Sequence, residues 1–450
     1  QGFYQSHQAT AAACQVNNVV ILRGMLGRPG CGVLQMNGQP TAQNTRETGA
    51  NGDLPGFRNF ANDGHIAELA RIWNVDPLQI PHWGPPTHAM QIFRYCEQGS
   101  IGLLWISGTN PAVSLPELHR IRSILAREEL FVVAQDIFDT ETTALADLVL
   151  PAATAGEKTG TFTNADRTVH LSERAVDPPG EARSDLDIFL DYARRMDFRD
   201  ADGGPLITWD DPESAYRAWQ ACSKGRPCDY SEITYERLRG GSGIQWGGER
   251  LYADGAFNAA PDVAETYGKD LLTGAALEEG EYRALNPEGR AILKAADYAP
   301  PHELPDDEHP FLLTTGRTIY HFHTRTKTGR APELQAAAPD VWVEVSAPDA
   351  ERLGLAEGDL CEVASPRGAV RARARVSGVR EGVLFLPFHY GSWDTGGRSR
   401  AANELTITAW DPNSKQPLVK AGKARVIKLE DADGHRAPAP SNTASAPVAS

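Results

Sequence analysis

Residues 101–136 read "IGLLWISGTNPAVSLPELHRIRSILAREELFVVAQD", and the fold is decided here. The run "IGLLWISG" is short, apolar and ended by glycine, as suits a strand buried in a parallel sheet. From Leu115 the apolar residues change to a 3–4 spacing, Leu118, Ile121, Ile124 and Leu125, the stripe of a helix lying on a sheet. A second apolar run, "LFVVAQD", begins about 30 residues after the first, the separation of a strand–helix–strand unit. A third, "ADLVLPAA", is stopped by Pro151. This pattern predicts a doubly wound, mostly parallel α/β sheet. Ligands of such sheets lie beyond the carboxyl ends of the strands. Those ends carry Thr109 and Asn110 after one strand, and Gln135 and Asp136 after the next.

Working outward, the texture changes at His309. "PFLLTTGR", "VWVEVS", "DLCEVAS", "AVRARARV", "GVLFLPFHY" and "KARVIKL" read as short strands, with one helix in "APDAERLGLAEGD". "RARARV" alternates as a half-buried strand does. Many short strands with a single helix predict a small closed β-barrel. The expected organisation is an α/β domain over 1–198, an irregular connecting segment over 199–305, a barrel domain over 306–430 and a disordered Pro/Ala/Ser-rich tail over 431–450.

The chain has 450 residues, enough for two or three domains with substantial cores. Its 44 basic and 59 acidic residues give a net charge of −15, which argues against a general nucleic-acid or membrane-surface binder. No apolar run approaches the roughly 20 residues of a membrane span. Six scattered cysteines without a C-x-x-C pair suggest reduced thiols in the cytosol. The first residue is Gln, and the opening stretch reads as mid-domain sequence, so the expectation is the C-terminal portion of something longer.

In so acidic a chain, "LLTTGRTIYHFHTRTKTGRAPEL" (312–334) is unusual, because it crowds Arg, His, Thr and Lys around a glycine with hardly a carboxylate among them. Gly316 lets backbone approach a ligand, and Arg317 can grip a phosphate in bidentate fashion. Thr314, Thr315 and Thr324 add hydroxyls, and His321 and His323 share a face if the segment is extended. No third ligand completes a metal site. "GEKTGTFTNADRTVHL" (156–171) gathers donors again, Lys158 foremost, and reads as a second cradle or as a polar hairpin. It lacks the order of a phosphate-binding P-loop. "MNGQPTAQNTRETGANGDLPG" (36–56), with the pair Arg46–Glu47, reads as a long functional loop or a plain surface one. Chemistry alone stops at a nucleotide-like ligand held by an α/β domain and a β-barrel.

These motifs, with "GFYQ", "NNVVILRGMLGRPGCG", "WISGTNP", "PPGEARSDLDI" and "ANELTITAWDPNSKQP", occur in an order that resembles the molybdopterin oxidoreductases of the dimethyl sulfoxide reductase superfamily. The resemblance runs from Gln1 to about Leu429. It implies a cofactor of molybdenum bis(molybdopterin guanine dinucleotide), bound by the α/β domain (without its N-terminal part) and a double-psi-like β-barrel. It carries cofactor contact to Gln5, Asn110, Gln135, Asp136, Lys158, Asp185, Thr315, Gly316, Arg317, His321, His323, Thr324, Phe388, Asn403 and Lys420. At Gln1 the residue type differs from the family pattern. Asp136 and Asp185 would accept from a guanine or ribose, Lys158 and Arg317 offset pyrophosphate charge, and Asn110 and Asn403 meet base or pterin edges.

Within the superfamily, "GQPTAQNTRETG" is similar to the signature of periplasmic and assimilatory nitrate reductases. The resemblance therefore implies a nitrate reductase, with a formate dehydrogenase alpha subunit or a non-catalytic homologue as alternatives. Arg46 would attract the anionic substrate, nitrate or formate, and a redox protein would donate or accept electrons. The family's four-cysteine motif for a [4Fe–4S] cluster and its molybdenum-ligating cysteine match none of the six cysteines here. By that comparison the chain should be inactive alone, and no metal ligand is expected in it.

Overall fold

The structure is a computed structural model describing residues 2–25, 28, 30–33, 42–50, 54–84, 86–226, 228–246 and 293–430. Gln1, the tail 431–450 and part of the segment 36–56 lie outside the described residues. The chain divides into two compact units, one of residues 1–15, 90–149 and 295–450, the other of residues 16–89 and 150–294.

The first unit contains the predicted sheet. Strands β1 (Leu103–Ser107), β2 (Phe131–Asp136) and β3 (Leu148–Pro151) lie in the order β1-β2-β3, and β1 and β2 are parallel from Leu103↔Phe131 to Ser107↔Gln135. Helix Leu118–Leu125 buries Leu118, Ile121, Ile124 and Leu125, the stripe read from the sequence. Three of these pack with Met90, Phe93 and Cys96 of helix Ala89–Glu97 and with Ile106 and Val132 of the sheet. Each such side chain contributes about 1.5–3 kcal/mol of burial. The opposite ends of the strands are less covered: Leu103, Phe131, Leu148 and Val149 are 53, 47, 44 and 41% exposed.

In the second unit, β4 (Gly160–Thr163), β5 (Thr168–Ser172) and β6 (Ile244–Gln245) form an antiparallel sheet. The stretch 156–171 is thus a polar hairpin, its turn closed by Asn164 N–H to Thr168 O at 2.9 Å and by Arg167 at φ 71°. Within 199–305, where the sequence shows no clear period, helices Pro212–Ser223 and Tyr235–Arg239 form. Asp211 accepts from Ser214 N–H ahead of Pro212, and Thr234 accepts from Arg237 N–H, so both helices start on side-chain caps. Their core is largely aromatic, with Tyr216, Tyr230, Tyr235 and Trp246, and an aliphatic stripe is therefore not visible.

The first unit also holds the barrel. Strands β7 (Phe311–Gly316), β8 (Trp342–Ser346), β9 (Leu360–Ser365), β10 (Gly368–Ser377), β11 (Val383–Pro387) and β12 (Gly422–Lys428) close in the order β10-β8-β11-β7-β12-β9. β10 runs parallel to β8 and β11 parallel to β7; the other pairings are antiparallel. Along β10, Val370, Ala372 and Ala374 turn inward. Val343, Val345, Val363, Leu384 and Leu386 fill the interior with them. Helix Ala347–Leu353 begins at the cap Ser346 and ends at Gly354, φ 65°, and a second short helix that the sequence pattern did not show, Pro332–Ala337, lies between β7 and β8.

Candidate functional site

β7 ends at Gly316, where a Cβ would lie 2.5 Å from the Phe385 ring, so no side chain fits. Phe388 N–H donates to Gly316 O at 3.0 Å, tying the ends of β7 and β11 together. On this rim sit two cations. Lys420 Nζ donates to Thr315 O at 2.6 Å, and Thr315 Oγ1 donates to Val419 O at 2.7 Å. Arg317 Nη2 meets His323 Nε2 at 3.2 Å, its guanidinium lies 5.9 Å from the Phe388 ring, and its Nε is buried with no partner. Burial lowers the Arg317 pKa, and burial followed by the Arg317 charge brings Lys420 to about 8. Among the described residues neither cation is paired with a carboxylate.

The histidines hold this rim in shape. The segment 317–325 is not extended, because His323 and Arg325 take φ 45° and 65°. The extended geometry under which His321 and His323 would share a face is therefore absent. His321 turns inward, donating from Nε2 to Ala338 O at 2.7 Å and meeting Thr328 Oγ1 at 3.0 Å with Nδ1. His389 donates from Nδ1 to His323 O at 2.6 Å and accepts Thr318 N–H at Nε2 (2.8 Å), which fixes its neutral tautomer. Burial brings His323 and His389 to about 4, so both are neutral at pH 7. His389 is not among the residues that the sequence points to, whereas its partner Thr318 lies inside the run Thr315–Thr324 that the resemblance marks; "PFHYG", beside Phe388, is the local signal for His389.

The ends of β1 and β2 belong to the same unit. Buried Asn110 precedes the short helix Pro111–Ser114 without capping it through its side chain, and donates to Glu141 Oε2 (2.9 Å) and Thr324 Oγ1 (3.3 Å), so this strand end reaches the 315–324 segment. Gln135 accepts from Trp105 Nε1 at 3.0 Å. Asp136 is half-buried; burial raises its pKa, against the N–H groups of Ile137 and Phe138 and the charges of Lys327 and Arg330. Asn403 donates to Ser114 O at 2.8 Å. Gln5 is half-buried in an N-terminal turn. Thus Asn110, Thr324, Thr315, Gly316, Arg317, His323, Phe388 and Lys420 are linked by contacts, while among the described residues Gln5 makes no hydrogen bond to them.

In the second unit, Lys158 and Asp185 form an ion pair with each other, Asp185 opening helix Asp185–Arg195. The described part of 36–56 is not all loop. Ala42–Glu47 is a helix, fixed by Thr163 N–H to Asn44 Oδ1 at 2.6 Å and by Glu47, which is fully buried. Glu47 accepts from Tyr230 Oη at 2.5 Å and Trp246 Nε1 at 2.6 Å. Burial raises its pKa in spite of those donors. Arg46 is half-buried beside it on the last turn.

A dinucleotide brings a doubly charged pyrophosphate. Among the described residues the barrel rim offers an orphaned Arg317 Nε, a lysine answered by a carbonyl and a glycine that admits close approach, so these residues fit such a group. Comparison with known proteins identifies the family. Residues 1–195 match the family Molybdopterin oxidoreductase, and residues 311–422, which span this rim, match the Molydopterin dinucleotide binding domain. The chain belongs to the molybdopterin oxidoreductases. A nitrate reductase of Symbiobacterium thermophilum is 35% identical, over 92% of this chain and 53% of its own length. The periplasmic nitrate reductase of Desulfovibrio desulfuricans is 33% identical over 95% and 55%. The F420-dependent formate dehydrogenase 1 subunit alpha of Methanococcus maripaludis is 34% identical over 92% and 55%. This molybdopterin oxidoreductase chain spans about half the length of these curated relatives. Its fold is similar to acetylene hydratase from Pelobacter acetylenicus, with a TM-score of 0.55 at 17% identity, over 83% of this chain and 50% of that one.

Proposed function

We propose that the chain is the cofactor-binding part of a nitrate reductase that carries molybdenum bis(molybdopterin guanine dinucleotide) and reduces nitrate to nitrite. The reading rests on the carboxylate-free pair Arg317 and Lys420 beside Gly316. The bound group supplies oxygen-atom transfer and two-electron redox chemistry at molybdenum. The protein's own residues bind and orient it. Arg317 and Lys420 offset pyrophosphate charge, and neutral His323 and His389 hold the Arg317 turn without adding a competing cation. Asp136 and Asp185 accept from base or ribose, and Asn110, Gln135 and Asn403 supply amides. For Lys158 and Asp185 this role requires their ion pair to open. Arg46 draws in the anion.

In this reading the electrons come from a redox protein. A [4Fe–4S] cluster and the cysteine ligand of molybdenum lie on polypeptide outside these 450 residues, which alone are inactive. The six free cysteines favour a cytoplasmic setting. The second reading, a formate dehydrogenase alpha subunit, is favoured by the 34% identity to the Methanococcus subunit. A non-catalytic cofactor-binding homologue is the third. Arg317→Ala with Lys420→Ala in the full-length enzyme tests the site: it should purify with little molybdenum, and normal metal content would refute the assignment. Nitrate oxidising a reduced viologen dye supports the first reading, formate reducing the oxidised dye the second, and neither reaction the third. Arg46→Ala should raise KM for nitrate severalfold with cofactor retained; an unchanged KM removes it from the substrate path.

A further inference from the structure

The loop after β2 carries a carboxylate that the cofactor contacts above do not use. Glu141 is only 8% exposed, and its hydrogen-bond partners among the described residues are N–H donors. Oε2 accepts from Asn110 Nδ2 at 2.9 Å, and Oε1 from the backbone N–H of Ser392 and, at 2.9 Å, of Trp393. Gly391 makes room for it, since a Cβ there would overlap the carboxylate. The Asn110 amide is thereby fixed. Its other Nδ2 hydrogen goes to Thr324 Oγ1 at 3.3 Å, and its Oδ1 accepts from Thr142 Oγ1 at 2.7 Å. The reversed amide would set Oδ1 against the carboxylate, so chemistry decides the orientation. Both amide hydrogens are spent, and Oδ1 keeps one lone pair.

We propose that Glu141 is a positioning residue that makes Asn110 an acceptor toward the bound group, which must present an N–H or O–H there. The inference rests on the cofactor reading of Asn110 above. It deepens that reading by naming the matching chemistry, the N–H edge of a guanine or pterin ring, and by rejecting a ring that offers a carbonyl or bare ring nitrogen at that place. The carboxylate also ties the turn 391–393 to the end of the parallel sheet, so the polarity of one amide is set by two elements at once.

The test exchanges acid and amide in the full-length enzyme, reading guanine nucleotide released per purified molecule alongside the melting temperature. Glu141→Gln points an amide N–H at donors. It should lower nucleotide content about tenfold, the scale of one mismatched buried polar contact. Adding Asn110→Asp restores every bond. The introduced amide accepts from Ser392 and Trp393 and donates to the introduced carboxylate, which accepts from the Thr142 and Thr324 hydroxyls. The double variant should therefore regain nucleotide content to within about twofold, as expected when a polar pair is exchanged without loss. Unchanged content in Glu141→Gln overturns the proposal, as does a double variant that stays depleted. If Glu141→Gln fails to fold, the double variant alone decides, and its failure to fold also counts against the proposal. Asn110→Ala separates the two readings. Undiminished nucleotide content there removes Asn110 from the cofactor site itself, whatever the exchange shows.

Discussion

Arg317 and Lys420 at the barrel rim and Arg58 and Arg226 in the second unit are all cations withdrawn from water, but they are answered differently. Arg58, 2% exposed, reaches Glu68 at 3.1 Å, Pro55 O at 2.8 Å and Cys222 O at 3.0 Å. Arg226 reaches Gly56 O at 2.9 Å and lies 3.8 Å from Glu68. Burial raises the Glu68 pKa, and the hydrogen bond and charge of Arg58 with the charge of Arg226 bring it below the ordinary value. At the rim the described residues supply carbonyls and neutral imidazoles to the cations and no carboxylate. Cations that share a carboxylate hold a fold together, whereas cations without one wait for an anion.

The largest test of that contrast is Arg58→Ala. It strips Glu68 of its closer partner and should cost about 3 kcal/mol in urea unfolding. A loss under 1 kcal/mol, on the same scale, would mean the cluster is not a structural one. Tyr230→Phe comes next, since Glu47 loses its 2.5 Å donor; about 1–3 kcal/mol is expected by the same measurement. Lys420→Met should behave oppositely. Without cofactor it should leave stability unchanged or raise it by on the order of 1 kcal/mol, because a cation disfavoured by burial is removed. A loss as large as that of Arg58→Ala would erase the distinction.

The smallest effect is one of pH. Lys420 is protonated below its depressed value of about 8 and loses its charge as pH rises through it. An anion favours the protonated form, so inorganic pyrophosphate should bind the chain severalfold more weakly at pH 9 than at pH 7 by calorimetry. Lys420→Arg, charged throughout, should flatten that dependence. A wild-type affinity constant over this range would deny Lys420 a part in anion binding.

What the sequence discloses tracks the range of the interactions. The stripe on Leu118–Leu125 and the alternation of Val370, Ala372 and Ala374 are periodic, so helix, sheet and barrel strands are legible to within a residue or two. Ala42–Glu47 is short and polar, and its partners Thr163, Tyr230 and Trp246 lie 119, 183 and 199 residues away, which no local pattern reports. The Lys158–Asp185 pair is likewise invisible to a reading that assigns each residue separately to a ligand. The shared face of His321 and His323 holds only for an extended segment, and two left-handed residues there replace the strand geometry that a spacing of two presupposes. Glu141 went unnoticed because its meaning depends on Ser392, 251 residues on.

The thinly covered ends of β1, β2 and β3 have a practical side. Leu148 and Val149 lie next to each other on β3, an outer strand of the sheet, and so expose greasy side chains on both of its faces. Chains handled at high concentration can associate there. A lysine at 148 is the simplest way to keep the purified protein in solution.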